Sequence, residues 1–232
     1  MGKEVLCIIP ARGGSKGITR KNIVSVAGKP LIYYSISAAL GSKSVSRVMV
    51  STEDDEIAKV ARGFGADVPF FRPEELAEDE VHSVFPVIYT VRRLQETEGY
   101  IPDAVLMLLP TCPLTRPNHI SEAVALFFSN RSGAVISVSR FNKPLSSIRK
   151  EVGDQIKPVT VVEDFNVQRQ DYSLYVVNAA IYIATPQNLF DSQTFHLDNV
   201  HPYVMADEDS LDINSPTDLR MADFLLSQQD RK

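Results

Sequence analysis

The sequence has little cysteine, few histidines and no apolar run long enough to cross a bilayer, and each of these shortages closes a class of function. Of the two cysteines, Cys7 falls in a predicted strand and Cys112 between Thr111 and Pro113, so neither supports a disulfide framework. The four histidines, His82, His119, His196 and His201, show no metal-ligand spacing. No segment has the length of a membrane span, and the N-terminal residues carry no apolar run of signal-peptide type. A cytoplasmic protein with no membrane partner is the resulting expectation. A net charge of -5 argues against nucleic acid as a partner, since general binders of it are usually basic. Internal repeats, low-complexity tracts and convincing linkers are missing as well. A single domain over residues 1–232 is expected, with hydrophobic content of 44% sufficient for a substantial core.

One local absence is more informative than these. Between Ala11 and Lys29 the charged residues are Arg12, Lys16, Arg20, Lys21 and Lys29, with no acid among them. This stretch follows an apolar strand, Val5 to Ile9, which Pro10 is expected to end by removing a ladder donor. Glycines at 13, 14 and 17 let the backbone curl closely around a ligand. A pliable cationic loop at the carboxyl end of a first strand is where an α/β sheet holds a polyphosphate. It is not a P-loop, because G-x-x-x-x-G-K-[ST] does not occur. Nor is it a dinucleotide fingerprint, because Arg12 stands where the first glycine belongs and the next helix is expected only from Pro30.

The rest of the chain alternates in a way that predicts parallel strands with helical crossovers. Helices are expected over 30–40, 54–62, 83–96, 117–128 and 216–226, with strands at 47–51, 104–109, 134–138, 179–184 and briefly 204–206. Residues 140–177 break this rhythm with hairpin-like pieces and read as an excursion from the sheet. Near the end, Asp212 lies between Leu211 and Ile213 in an alternating pattern. That pattern predicts a short strand aiming one carboxylate into a cleft, with Asn214 on the same face. A hard cation such as Mg²⁺ takes one or two carboxylates together with substrate phosphates.

The string Ala11-Arg12-Gly13-Gly14-Ser15-Lys16-Gly17, followed by Lys21-Asn22, resembles the nucleotide-binding signature of the acylneuraminate cytidylyltransferases. Enzymes of that family make CMP-sugars from CTP and an acidic keto-sugar. The resemblance covers nearly the whole chain and implies a doubly wound, mainly parallel α/β sheet of the Rossmann-like nucleotidyltransferase type. From residue chemistry, Arg12, Lys16 and Lys21 are the candidates for the triphosphate; by the resemblance, Arg12 and Lys21 hold it, Gly14 and Ser15 approach it through backbone, Ala11, Gly13 and Lys16 belong to the same nucleotide-binding loop, and Asn22 lies near base or ribose. Arg72 in Arg72-Pro73-Glu74-Glu75-Leu76-Ala77 and Ser83 are placed beside the cytidine by the same resemblance. From residue chemistry alone, Arg72 reads as a surface ion pair with Glu74 or Glu75, and Ser83 as a helix N-cap.

On the sugar side the pattern is only partly kept. Leu109-Pro110-Thr111-Cys112-Pro113-Leu114 is similar to the family's Gln-Pro-Thr-Ser-Pro-Leu turn, with Leu109 for glutamine and Cys112 for serine. Val176-Val177-Asn178-Ala179-Ala180-Ile181-Tyr182 corresponds to Arg-Pro-Asn-Gly-Ala-Ile-Tyr, so Asn178 and Tyr182 match while Val176 replaces arginine and Ala179 glycine. Leu109, Arg169, Asn178 and Tyr182 are the sugar-binding residues the resemblance implies. It also implies that the arm at 140–177 crosses to a second subunit of a homodimer, with Arg169 helping to complete the neighbouring site. The family's Asp-Ile-Asp metal pattern is matched as Asp212-Ile213-Asn214, with Mg²⁺ as the implied cofactor. Arg12, Lys21 and Asp212 are the expected catalytic residues. The expected reaction is transfer of CMP to a nonulosonic acid of sialic, legionaminic or pseudaminic type. The alternatives are a transferase of the same architecture using another nucleotide or an octulosonic acid, and a non-catalytic nucleotide-binding module.

Overall fold

The computed structural model describes residues 2–130, 133–141, 147–159 and 174–229. Its centre is a six-stranded sheet containing β1 (Val5–Pro10), β4 (Arg47–Ser51), β5 (Ala104–Leu108), β6 (Ala134–Arg140), β9 (Tyr175–Ala184) and β10 (Val200–Val204), ordered β10-β6-β9-β5-β1-β4. β1 runs parallel to β4 and β5, and β10 parallel to β6, while β9 is antiparallel to both of its neighbours. The sheet is thus mainly parallel, as the alternation of elements predicts.

The near-continuous apolarity of β1 has a simple cause: both faces of the sheet are covered. Cys7 and Ile9 pack into one cluster with Ile36 of α1 (Ile32–Gly41), Ile57 of α2 (Asp55–Gly63) and Ile120 of α4 (Pro117–Ser129). Leu6 and Ile8 face a second cluster, with Val87 and Leu94 of α3 (Val84–Glu98) and Leu189 of α5 (Pro186–Ser192). A third, smaller cluster joins Ile18 of the cationic loop to Ile213, Leu114 and Leu226, the last from α6 (Pro216–Gln229). α3 runs through Pro86 undisturbed, because that residue sits in the first turn, where its missing N–H is an orphan donor anyway.

Several boundaries differ from expectation, each for a local reason. β1 does stop at Pro10, but it includes that residue, one beyond the expected Ile9, paired with Ser51. Pro30 does not open a helix. It is used in a two-residue hairpin, β2 (Ser25–Val26) and β3 (Lys29–Pro30), turned by Ala27 at φ 46° and Gly28 at φ 76°. Positive φ at both turn residues is the hairpin geometry that matches strand twist, and α1 therefore starts only at Ile32. The short strand expected at 204–206 is β10, ending at Val204. Residues 211–214 form no strand at all, although Asp212 and Asn214 do share a side. Within the arm, β7 (Arg149–Val152) and β8 (Gln155–Pro158) form an antiparallel hairpin around Gly153.

β9 begins earlier than expected and carries a bulge. Ile136 pairs with Tyr182 and Val138 with Val177, so four residues, 178–181, oppose Ser137 alone. Ala179 takes φ 63° there, a left-handed conformation that glycine adopts without strain. The Ser137 hydroxyl donates to Asn178 Oδ1 at 2.5 Å and accepts from the Ile181 N–H at 2.7 Å, satisfying groups the bulge removes from the ladder.

Candidate active site

The strand order places β1 between β4 and β5, which are reached by connections leaving in opposite directions. The crevice at the carboxyl ends of β1 and β5 is consequently the switch point at which such sheets bind ligands. A cleft of about 480 Å³ opens there, lined by Arg12, Ser15, Lys16, Gly17, Lys21 and Asn22 of the first loop, by Arg72, Asp79 and Ser83, by Leu109 and Thr111, and by Asn214.

The loop is shaped by contacts to distant residues. Asn22 is buried, and its side-chain amide donates to the Arg12 carbonyl at 2.9 Å, which closes the loop on itself. Gly13 donates its N–H to Glu53 at 2.6 Å, and a side chain at this position would start 2.5 Å from Asp54 Oδ2. Glycine is needed there for close approach, whereas Gly14 faces open space. Ala11 does not line the cleft; it is buried and donates to the Ser51 carbonyl at 3.0 Å. Ile18 pins the middle of the loop into the third apolar cluster beside Ile213.

The five cations of the acid-free stretch separate into different tasks. Arg20 turns away from the cleft and grips Asp54, the N-cap of α2, and Glu56 at its first turn. That contact holds the Asp54 carboxyl below its usual range, against the opposing effect of burial. Lys29 lies over the Tyr33 ring with its nitrogen 5.5 Å from the centroid. Lys21 reaches across to the Ile213 carbonyl at 3.1 Å, tying the loop to the segment that carries Asp212. Arg12 and Lys16 both meet Asp79, each at 2.7 Å.

Arg72 is not a surface ion pair with Glu74 or Glu75. It is buried, with Nε donating to Glu53 Oε2 at 2.9 Å and a second nitrogen 2.8 Å from the same oxygen. Burial pulls this guanidinium below its ordinary value, Glu53 opposes that, and nearby Arg12 adds to it. Glu53 therefore braces both the Gly13 backbone and Arg72. Ser83 precedes α3 at the N-cap position, yet its side chain makes no cap hydrogen bond and is left to face the cleft.

A second cavity of about 490 Å³ lies beside the first and shares Ser83 with it. Tyr182, Phe195, His196, His82, Met107 and Thr194 are among its walls. Tyr182 stands at the centre of an aromatic group, 5.6 Å from Phe195 and 6.1 Å from His196 between ring centroids. Burial pushes its hydroxyl up to about 12, with Cys112 and Asp212 adding to the effect. Asp212 itself lines neither cavity, whereas Asn214 lines the first. Asp212 accepts from the Asn214 amide at 2.9 Å and lies 3.9 Å from the Cys112 sulfur. A reciprocal cap fixes the neighbouring backbone, with Asp218 accepting from the Asn214 and Ser215 N–H groups at 3.0 and 2.7 Å.

Not every expected residue joins these cavities. Asn178 is buried, and its side-chain oxygen and nitrogen are bound to Ser137 and Ser210, so it holds the bulge rather than facing a ligand. Leu109 lines the first cleft rather than the cavity around Tyr182. Val176 is exposed on β9 and lines neither. Arg169 lies outside the described residues. Sequence reasoning missed Glu53, Asp79 and the stretch from Gln193 to His196. The acids follow strand and loop positions with no motif of their own, although the acid-free cationic loop signals that counter-ions must come from elsewhere. Gln193 at φ 52° ends α5 in a left-handed turn that the sequence gives no glycine to announce.

Residues 6–218 match the family model described as Cytidylyltransferase. The chain is 34% identical over 226 residues to the CMP-N,N'-diacetyllegionaminic acid synthase of Legionella pneumophila, covering 96% of each. It is 32% identical over its full length to the N-acylneuraminate cytidylyltransferase of Escherichia coli, of which it spans 54%. Over 140 residues, 60% of either chain, it is 41% identical to a pseudaminic acid cytidylyltransferase of Campylobacter jejuni. Among solved structures, a CMP:2-keto-3-deoxy-manno-octonic acid synthetase complexed with CTP superimposes with a TM-score of 0.72 at 16% identity, covering 97% of this chain and 99% of that one. That likeness is one of fold.

Proposed function

The chain belongs to the cytidylyltransferase family, and we propose that it transfers CMP from CTP to the anomeric hydroxyl of a nonulosonic acid, releasing pyrophosphate. The observation that carries this reading is the pair of cavities meeting at Ser83. One is walled by Arg12, Lys16, Lys21 and Arg72, and the other by aromatic rings. The first suits a triphosphate and the second an acylated sugar. In the reaction the sugar hydroxyl gives up its proton to solvent and its oxygen bonds to the α-phosphorus, while the bond from that phosphorus to the bridging β-phosphate oxygen breaks. Arg12, Lys16 and Lys21 offset the negative charge that gathers on the departing pyrophosphate, and preorganised cations serve that task well.

Among the described residues no three His, Cys, Asp or Glu side chains converge as a metal cluster. Asp212 with Asn214 nonetheless fits Mg²⁺, because this ion takes one or two protein oxygens and draws the remainder from phosphates and water. Asp212 would hold it, with Asn214 as the weaker donor once its amide turns its oxygen inward, and the ion would neutralise phosphate charge. Homodimerisation belongs to the same proposal. Tyr175, Val176 and Val177 on β9 and Val204 on β10 are exposed on neighbouring parts of the central sheet, and Val152 and Ile156 are exposed on the separate arm hairpin. Apolar groups grouped in this way suit an interface. No described helix is long and apolar enough to cross a membrane, and the free, buried Cys7 and Cys112 suit a reducing compartment such as the cytoplasm.

The test is pyrophosphate release from CTP, ATP, GTP and UTP, each paired with sialic, legionaminic, pseudaminic and octulosonic acids. Release confined to CTP with a nonulosonic acid supports the proposal. Turnover only with another nucleotide, or only with the octulosonic acid, overturns it in favour of the corresponding alternative. CTP binding without any turnover marks a non-catalytic module.

A further inference from the structure

The strongest unexplained feature is an acid where an anion site should be open. Arg12 and Lys16, two cations of the cleft, converge on the single carboxylate of Asp79, which offers one oxygen to each at 2.7 Å. Arg12 also donates to the Ala77 carbonyl at 3.4 Å. These contacts draw the wall that contains Leu76, Glu78 and Asp79 against the first loop, across the cleft. Two guanidiniums anchored beside the loop, Arg20 and Arg72, pair with partly buried acids that also brace backbone, Asp54 with the Ile57 N–H and Glu53 with the Gly13 N–H. Asp79 braces nothing else among the described hydrogen bonds and is partly exposed, so releasing it disturbs no packing.

We propose that Asp79 is a resident counter-ion that competes with polyphosphate for Arg12 and Lys16, so that it discriminates between anions by charge and returns to help expel pyrophosphate after transfer. This inference rests on the reading of the cleft as the triphosphate site. A carboxylate carries one negative charge, and a ligand must supply more than this at the same two cations to displace it. A triphosphate does so readily. A monophosphate, whether free or within the CMP-sugar product, does so poorly. When the α–β bond breaks, pyrophosphate loses its covalent tether to the nucleoside, and Asp79 then competes with a ligand held by charge alone. Lys16, and to a lesser degree Arg12, hold the Asp79 carboxyl below its usual range, so the competitor stays ionised at neutral pH.

The experiment is calorimetric titration of inorganic pyrophosphate into the full chain and into Asp79→Asn, without divalent metal and then with Mg²⁺. Asparagine keeps size and hydrogen bonding but removes the competing charge. Two exposed ion pairs set the expected scale, so Asp79→Asn should bind pyrophosphate about three- to thirtyfold more tightly without metal. The gain should shrink at high salt. Glu78→Gln removes an acid from the same wall that pairs with neither cation, and it should change affinity less than twofold. Equal or weaker pyrophosphate binding by Asp79→Asn overturns the proposal. So does weakening confined to the Mg²⁺ series, which would make Asp79 a metal ligand, or an equal gain from Glu78→Gln, which would reduce the effect to bulk charge. Arg12→Ala separates this failure from that of the underlying site. Binding lost in Arg12→Ala but unaffected by Asp79→Asn leaves the phosphate site standing and removes only the competitor. Absence of pyrophosphate binding in every protein removes both.

Discussion

The two ends of the cleft are built on opposite principles. At the first loop nearly every contact is ionic or a hydrogen bond: Arg20 to Asp54 and Glu56, Arg72 to Glu53, Arg12 and Lys16 to Asp79, Asn22 to the Arg12 carbonyl. Around Tyr182 the walls mix rings and aliphatic groups with the uncharged polar side chains of Ser83, Gln193 and Thr194, and the polar side chain expected to face the sugar, Asn178, is consumed within the β9 bulge. The contrast teaches where affinity and selectivity reside. On the proposed reading, charge at one end holds a polyphosphate and discriminates by charge number. On the same reading, the uncharged, ring-walled cavity at the other discriminates by shape, with roughly 1–3 kcal/mol for each methylene-sized difference at its apolar walls.

The largest effects should come from the charged end. Arg12→Ala should lower kcat/KM for CTP by about a hundredfold or more, the scale of losing one preorganised charge-stabilising donor. Its melting temperature should stay that of the parent, since Arg12 serves no packed cluster. Steady-state kinetics with thermal melting checks both halves. Asp212→Asn should lower turnover on a similar scale while CTP affinity without metal persists, because the phosphate-side cations are untouched. Normal turnover in that variant would place the metal elsewhere.

At the acceptor end the expected effects are on stability. Ala179→Val places a β-branched residue at φ 63° and should destabilise the fold by about 2 kcal/mol, whereas Ala179→Gly should be neutral or slightly stabilising. Denaturant melts of the two variants measure this directly. A smaller effect concerns His119, which accepts from the Arg116 N–H and lies 3.5 Å from buried Asp209. Burial pushes its imidazole below the ordinary value of 6.5, with Asp209 and Glu122 pulling it up and Arg116 pressing it down. The unfolded chain therefore binds this proton first as pH falls, so stability should decline as pH drops through 6.5 towards the folded value. His119→Gln should flatten that part of the stability profile.

The loop that lines the first cleft was largely legible in the sequence because its residues are contiguous. Arg12 to Asn22 lie within one loop, and the glycines and cations in it state their purpose together. What escaped notice there were partners brought in by the fold: Glu53 from the end of β4, and Asp79 from the turn after the Glu74–Ala77 helix. The mainly parallel sheet followed from alternating elements, but the antiparallel sense of β9 did not, since reversal depends on where an excursion re-enters rather than on the strand's own residues. The alternation around Asp212 was real and its cause misassigned. Ile213 is buried beside Ile18 and Leu114 in a small cluster, and no strand is present. Ala179 showed the converse, since a departure from glycine in the family pattern marked a position where the backbone does take positive φ.

The most direct test of the charged-end account is phosphorus NMR of single-turnover mixtures of the protein, Mg²⁺ and CTP with sialic, legionaminic and pseudaminic acids in turn. Loss of the CTP resonances with the matched appearance of one phosphodiester signal and pyrophosphate, in at least one mixture, is the predicted result. CTP that persists unchanged in all three, or that yields CDP and inorganic phosphate instead, would contradict it.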